Sequence, residues 1–249
     1  MRSLLIVALL AAIAHAQDAM QKWKPNDPAR PWPRVVTPGT SSTQGRAGQP
    51  PSDAIVLFNG WSLKEWESLK GGKAPWIVRN GVIEIVPHTG DIHTKRKFGN
   101  CQLHVEWAAP ITPTGSDQKR GNSGVWLMSN YEVQVLDSYK NDTYPDGQAG
   151  AMYVQYPPLV NASRPPGKWQ SYDIVFHRPR FDKTGRVLTK ATITVFHNGV
   201  LIQDNVVLTG PSAFHARPPY SQHPDSMPLM LQDHNNKVRY RNIWIRKLE

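Results

Sequence analysis

Cysteine is almost missing: Cys101 is the single one in 249 residues. That excludes a disulfide framework and any Cys-rich zinc module. Long apolar runs are missing too. Leu4 to Ile13 is an apolar stretch of about ten residues, too short to cross ~30 Å of hydrocarbon as a helix. There is no phosphate-binding Gly-x-x-x-x-Gly-Lys loop and no Gly-x-Gly-x-x-Gly, so nucleotide cofactors are disfavoured. The histidines lack the His-Glu-x-x-His spacing of zinc proteases. No segment carries a sustained helical stripe flanked by caps. Acidic residues are scarce as well, 19 against 29 Lys and Arg, which leaves a formal charge of +10.

That charge points first to acidic partners, but its distribution argues otherwise. Lys22, Lys24, Arg30, Arg34 and Arg46 lie in a proline-rich stretch, against Asp18 and Asp27. Lys237, Arg239, Arg241, Arg246 and Lys247 crowd the last strand, where basic side chains discourage edge-to-edge aggregation. With no reading helix and no aromatic-basic strand motif, a nucleic-acid partner is not expected.

What is present begins with a short basic start, the apolar run and Ala14-His15-Ala16, the small-x-small pattern of a cleaved export signal. The expectation is a signal peptide over 1–16, removed near Ala16. The remaining chain is then exported to a bacterial periplasm or exterior, with no membrane attachment after cleavage. Residues 17–52 hold seven of the 22 prolines, interspersed with glycine and serine. Such a composition buries too little apolar surface to offset ordering entropy and reads as a flexible linker. Residues 53–249 form the remaining, single domain.

There the apolar period is two. Trp76 to Arg79, Asn80-Gly81, then Val82 to Val86 reads as a hairpin closed by a type I′ turn, and Thr192 to His197, Asn198-Gly199, Val200 to Ile202 repeats it. Further strands are expected over Cys101–Trp107, 124–128, Tyr131–Asp137, 169–176, 227–232 and 238–248. Eight or more strands with Gly/Pro turns in about 195 residues predict an all-β, two-sheet jelly-roll sandwich.

Alternation also sorts faces. Cys101, Leu103, Val105 and Trp107 share one face of their strand; Gln102, His104 and Glu106 share the other. Tyr131, Val133 and Val135 oppose Glu132 and Gln134. Asp137 joins Glu132 only across a bulge, since five residues is an odd step. Glu132-x-Gln134-x-x-Asp137 resembles the Glu-x-Asp-x-x-Glu of laminarinase-type retaining glycosidases, with the middle acid an amide and the last one methylene shorter. Retention requires two carboxyls ~5–5.5 Å apart. Gly121-Asn122-Ser123-Gly124 is a turn that holds an Asn at a strand mouth, and Leu231-Gln232-Asp233-His234 ends a strand in polar groups able to orient a proton-transferring imidazole. Cys101 falls on an apolar face and reads as an inert thiol. Trp61, Trp66, Trp76, Trp107 and Trp126 offer stacking surfaces, so a non-catalytic carbohydrate-binding module is a competing reading.

The phrases Leu57-Phe58-Asn59-Gly60, Trp76-x-x-x-Asn80-Gly81, Gln102 to Trp107, Gly121 to Val125, Tyr131 to Ser138, Pro166 to Gln170, His197 to Val200, Leu231 to His234 and Arg241-Asn242-Ile243 occur in that order. From about Asp53 to Glu249 the chain resembles a bacterial family described as 3-keto-disaccharide hydrolases (3-keto-α-glucoside 1,2-lyases/3-keto-2-hydroxyglucal hydratases). The resemblance implies a concanavalin-like jelly roll that cleaves 3-keto-glycosides. A ketone at C3 acidifies the C2 proton, an enolate forms, the C1 oxygen leaves by β-elimination, and hydration completes net hydrolysis. Glu106, Glu132, Asp137 and His234 stand in matching motifs as acid/base groups, with Glu132 and His234 expected in proton transfer and Asp137 as acid or orienter. Asn122, Gln134, Gln232, Trp126 and His93 are the substrate-binding candidates. No organic cofactor is implied. A divalent cation held by carboxylates and His is compatible with the chemistry, with no ligand set legible. The implied partner is a carbohydrate; the oligomeric state is not legible.

Overall fold

In a computed structural model of the protein, residues 23–248 are described; the export signal expected over 1–16 lies outside them. The chain divides into two compact units, 1–36 and 37–249. Within the first, the described residues form no helix or strand; turns lie between residues 23 and 30, with Asp27 accepting from the Arg30 amide through its carbonyl and from the Ala29 amide through its side chain.

The second unit is an all-β sandwich of two antiparallel sheets, with a separate two-stranded ribbon. The strands are β1 Ile55–Phe58, β2 Trp66–Ser68, β3 Ile77–Arg79, β4 Val82–Glu84, β5 Ile92–Phe98, β6 Cys101–Ala108, β7 Ser123–Leu127, β8 Tyr131–Val135, β9 Gln170–His177, β10 Arg180–Phe181, β11 Val187–Thr189, β12 Thr192–His197, β13 Val200–Val207, β14 Met227–Leu231 and β15 Arg239–Lys247. The larger sheet runs β13-β12-β9-β6-β15-β4-β3, with β1 beside β15; the smaller runs β2-β5-β14-β7-β8; β10 and β11 form the ribbon. Both hairpins expected from Asn-Gly are present. Asn80 and Gly81 have φ of 52° and 77°, and Asn198 and Gly199 have 54° and 81°. Two successive positive φ values give a turn whose twist matches the flanking strands.

The core lies between the sheets. Leu103, Val105, Ile174, Phe176, Val195 and Ile245 come from one side, and Ile92, Val125, Tyr131, Val133, Val135, Leu229 and Leu231 from the other. Cys101 is buried among them, and burial pushes its thiol up to about 12, so it stays protonated and inert. Trp66, Trp76 and Trp107 are core residues. The first two anchor their indole N–H groups on the Leu57 and Gly90 carbonyls. They are withdrawn from stacking on a ligand, because these large side chains supply the volume that closes the sandwich.

Residues 37–52 depart from the flexible-linker expectation. Thr40 and Gln49 pair backbone to side chain and backbone to backbone, Thr43 and Arg46 close a turn, and Ser52 donates to the Thr37 carbonyl. The strap lies against the larger sheet. Gln44 exchanges two hydrogen bonds with the Trp169 backbone (2.8 and 3.0 Å), and Arg241 donates to the Thr43 and Gln44 carbonyls. The ordering comes from polar contacts with a partner surface, which composition does not register.

Candidate active site

The pleat sends Glu132 and Gln134 of β8, Gly124 and Trp126 of β7, and Met230 of β14 to the outer face of the smaller sheet. The register is Trp126 opposite Glu132, Gly124 opposite Gln134, and Met230 opposite Trp126. β8 is the edge strand, and its free backbone groups are satisfied by loops. Gln134 pairs with Gly150 and Ala151, Tyr153 donates to the Glu132 carbonyl, and the Glu132 amide donates to Ser212 Oγ at 3.0 Å. The same two loops roof the outward side chains. Glu132 and Gln134 are therefore 3% and 1% exposed on what would otherwise be a solvent face.

A cavity of about 120 Å³ remains under that roof, lined by Asn122, Trp126, Glu132, Gln134, Tyr153, Ala213, Phe214, Gln232 and His234. Its space depends on Gly124. A Cβ there would lie 2.3 Å from Glu132 Oε1 and 2.5 Å from Trp126 Nε1. A carboxyl oxygen and an indole N–H thus converge over one glycine. The Trp126 Nε1–H is buried and has no hydrogen-bond partner among the described residues. Such an orphan donor is costly unless a ligand takes it. Turned end for end, the Gln134 amide donates to the Ser123 carbonyl at 3.0 Å and to Glu132 Oε1 at 3.2 Å. The Asn122 amide is fixed by donating to the Gln118 carbonyl at 2.7 Å. Burial, and next the charge of Asp91, push the Glu132 carboxyl up to about 8. Asp91 is itself raised by burial; it accepts the Asp233 amide at 2.8 Å and faces the charge of His234. A titratable carboxyl tuned near neutrality beside an unpaired donor is suited to proton transfer.

Six residues singled out from sequence therefore share this cavity: Asn122, Trp126, Glu132, Gln134, Gln232 and His234. Three others do not. Asp137 follows an unbulged β8 and is held by Arg120 Nε at 2.7 Å and by the Tyr139 amide. It pins the turn after the strand and is not available as the second carboxyl of a retaining pair. His93 lies on the same outer face in the cross-strand row Glu67–His93–Met230–Trp126–Glu132. It is three strand spacings from Glu132, roughly 14 Å, and its Nε2 meets Glu67 at 3.1 Å. Glu106 is on the other sheet altogether. Sequence reasoning did not single out Tyr153, Phe214, Gln118 or Asp91, because they reach the site from loops and, for Gln118, a single 3-10 turn at Asp117–Lys119, whose paths no strand period encodes.

Glu106 belongs to a second polar cluster, on the outer face of the larger sheet. Opposite it β15 carries a bulge: Arg241 pairs with Glu106 and Trp244 with His104, with one extra residue between them. Asn242 takes φ of 47° there, so Arg241 and Asn242 both reach the carboxylate, each at 2.7 Å. Ser42 of the strap donates to it as well. Burial alone would raise this carboxyl, but the hydrogen bonds from His104, Ser42, Asn242 and Arg241 outweigh burial and hold it at about 2. His104 stacks on Trp244 at 5.1 Å and contacts Asp173 at 2.7 Å. Burial would lower it; Asp173 and Glu106 together raise it to about 9. A cavity of about 690 Å³ lies over this cluster. It is larger than the Glu132 cavity, yet the buried charges beneath it already saturate one another. Its groups fasten the strap to the sheet through Ser42, Arg241 and Asn242.

No group of three or more His, Cys, Asp or Glu side chains among the described residues is arranged to hold a metal ion. The donor set around Glu132 is one carboxyl, amides, an indole and a peripheral imidazole, which does not fit a divalent-cation site.

A jelly-roll sandwich with a single tuned carboxyl in a polar pocket on one outer sheet face is the build of a carbohydrate-active protein. The chain belongs to the family of the 3-keto-α-glucoside-1,2-lyase-like domain, whose model matches residues 53–246. A provisionally assigned glycosyl hydrolase from Parabacteroides distasonis, solved by crystallography, is 46% identical with a TM-score of 0.85; the alignment covers 90% of this chain and 95% of that one. Two further crystal structures of provisionally assigned glycosyl hydrolases from the same organism share the fold at 21% and 20% identity. Their TM-scores are 0.60 and 0.58, over 79% and 78% of this chain and 94% and 99% of theirs. A search of curated proteins by sequence returns no match.

Proposed function

We propose that the protein cleaves 3-keto-glycosides by elimination at the Glu132 cavity. The observation that carries this reading is the convergence of a buried carboxyl near neutral pKa and an unpaired indole N–H over Gly124. Glu132 takes the proton from C2 of the sugar. The C2–H electron pair forms the enolate of the C3 ketone, whose developing charge the Trp126 N–H and the Gln232 amide meet by hydrogen bonding. As the enolate collapses, the C1–O bond breaks with its electron pair, and the departing oxygen takes a proton from His234 at the cavity mouth. Addition of water across the resulting double bond gives net hydrolysis. A retaining mechanism needs two flanking carboxyls; the cavity lining supplies Glu132 alone, and Asp137 is committed to Arg120.

The direct test is release of the leaving group from a purified 3-keto-glucoside. No release, with or without added divalent metal, overturns the proposal. The pH profile tests the role of Glu132. As a base it works in its ionised form, so kcat/KM should rise as pH passes upward through about 8. A falling limb at that pH makes it a proton donor instead.

Gly124→Ala offers a third check. Its methyl would sit where Glu132 Oε1 and Trp126 Nε1 converge, so turnover should drop at least tenfold while the fold survives. Full activity in this variant means that the space over Gly124 is not the reaction centre.

A further inference from the structure

The Glu132 cavity is bounded on one side by a tight turn that its chemistry does not use. Ala213 and Ala216 form an isolated bridge, leaving Phe214 and His215 at the tip, with His215 at φ of 50°. The base of the turn is tied down on both sides. The Ser212 amide donates to the Asn130 carbonyl at 2.8 Å, Ser212 Oγ accepts from Glu132, and Arg217 Nε donates to the Val154 carbonyl. The tip is thus held in place and still presents Phe214 with 78% of its surface exposed, packed edge-on against His215 at 4.0 Å. An aromatic ring displayed by a well-anchored turn at a cavity mouth is positioned for contact, because exposed apolar surface gains nothing in water.

Beyond this turn lies a second cavity of about 530 Å³, lined by Tyr144, Asp146, Val154, His215, Ala216 and Arg217. The two cavities share a wall made of consecutive residues: Phe214 and Tyr153 face the first, His215 and Val154 the second. Tyr144 and Tyr153 meet across that wall, hydroxyl to hydroxyl at 2.9 Å. The two charges in the second cavity, Arg217 and Asp146, already face each other at 3.4 Å. The rest of the lining is Tyr144, Val154, His215 and Ala216.

We infer that the Phe214-His215 turn forms the leaving-group subsite, in which Phe214 stacks on a ring with an apolar face, either a second sugar or a phenolic ring. This rests on the Glu132 cavity being the reaction centre. Stacking on Phe214 orients the C1 oxygen for departure.

The test compares methyl, glucosyl and 4-nitrophenyl 3-keto-glucosides in the parent protein and in Phe214→Ala, with melting curves to establish folding. The ratio of kcat/KM for a ring-bearing substrate to that for the methyl glycoside should fall about five- to tenfold in Phe214→Ala, and Phe214→Tyr should restore it. A fall for the glucosyl substrate alone identifies a sugar subsite, and for the nitrophenyl substrate alone an aryl one. Unchanged ratios for both overturn the inference while leaving the elimination reading intact. A parallel fluorescence titration with unoxidised 4-nitrophenyl glucoside separates the two failures. Phe214-dependent binding without turnover of any 3-keto substrate keeps the subsite and removes the chemistry.

Discussion

Glu132→Gln should lose turnover of a 3-keto-glucoside by about 10²- to 10⁴-fold, the range expected when a positioned proton-transfer group is removed. Glutamine keeps the shape of the side chain and part of its hydrogen bonding, so the loss reports chemistry. The folded state gives an independent check. Burial holds the Glu132 carboxyl at about 8, far above its value in an unfolded chain. Between the ordinary carboxylate range and that pH, the folded protein keeps a proton that the unfolded chain has released. Stability from this group is therefore complete at low pH and is lost as pH rises toward 8. Glutamine carries no such proton, so at pH 8 the variant should melt at the same temperature as the parent or higher. Lower melting together with lost activity would mean that Glu132 is structural; retained activity would remove it from the mechanism.

Glu106→Ala should act in the opposite way, on stability. The side chain is 2% exposed and Arg241 6%. Deleting the acid strands a buried guanidinium and unfastens Ser42. Removing one partner of a buried ion pair costs about 3–5 kcal/mol, which for a unit of this size lowers the melting temperature by roughly 10 °C or more. Glu106→Gln, which keeps an acceptor for Asn242 and Ser42, should cost less. The latch has its own pH window. The contribution of Glu106, whose carboxyl is depressed to about 2, is present above the ordinary carboxylate range and fades as pH falls toward 2. That of His104, raised to about 9, is complete below the ordinary imidazole value and fades as pH rises toward 9. The fastening is strongest in mildly acidic solution. An activity loss in Glu106→Gln that exceeds its loss of folded protein would restore this residue to the proton-transfer machinery.

Part of this protein was legible without coordinates because its signals are local. Period-two alternation assigned Val133 to the core and Glu132 and Gln134 to the opposite face, since successive side chains on a strand must diverge. The Asn-Gly pairs at 80–81 and 198–199 announced their hairpins, since few other residues accept two positive φ values in succession. Gly121 to Gly124 and Gln232 to His234, polar groups at strand ends, marked two of the segments that meet around the cavity.

Other features required the three-dimensional arrangement. Glu106 and Glu132 occupy matching alternations, and nothing in a strand's own period says which sheet it joins; pairing with β15 placed one and pairing with β7 the other. Asp137 kept its odd step because β8 has no bulge, and the bulge fell instead on β15, where Asn242 turns toward Glu106. The strap at 37–52 is composed like a linker but is ordered by an Arg and a Glu far away in sequence. Tyr153 and Phe214 come to the cavity on loops without periodicity. The sequence by itself determined which residues face the core and where the chain turns, because those depend on neighbours a few positions apart. The tertiary structure alone decided which acid stands in a pocket with an unpaired donor and which is neutralised in an ion pair, because that choice depends on strand order, loop paths and burial.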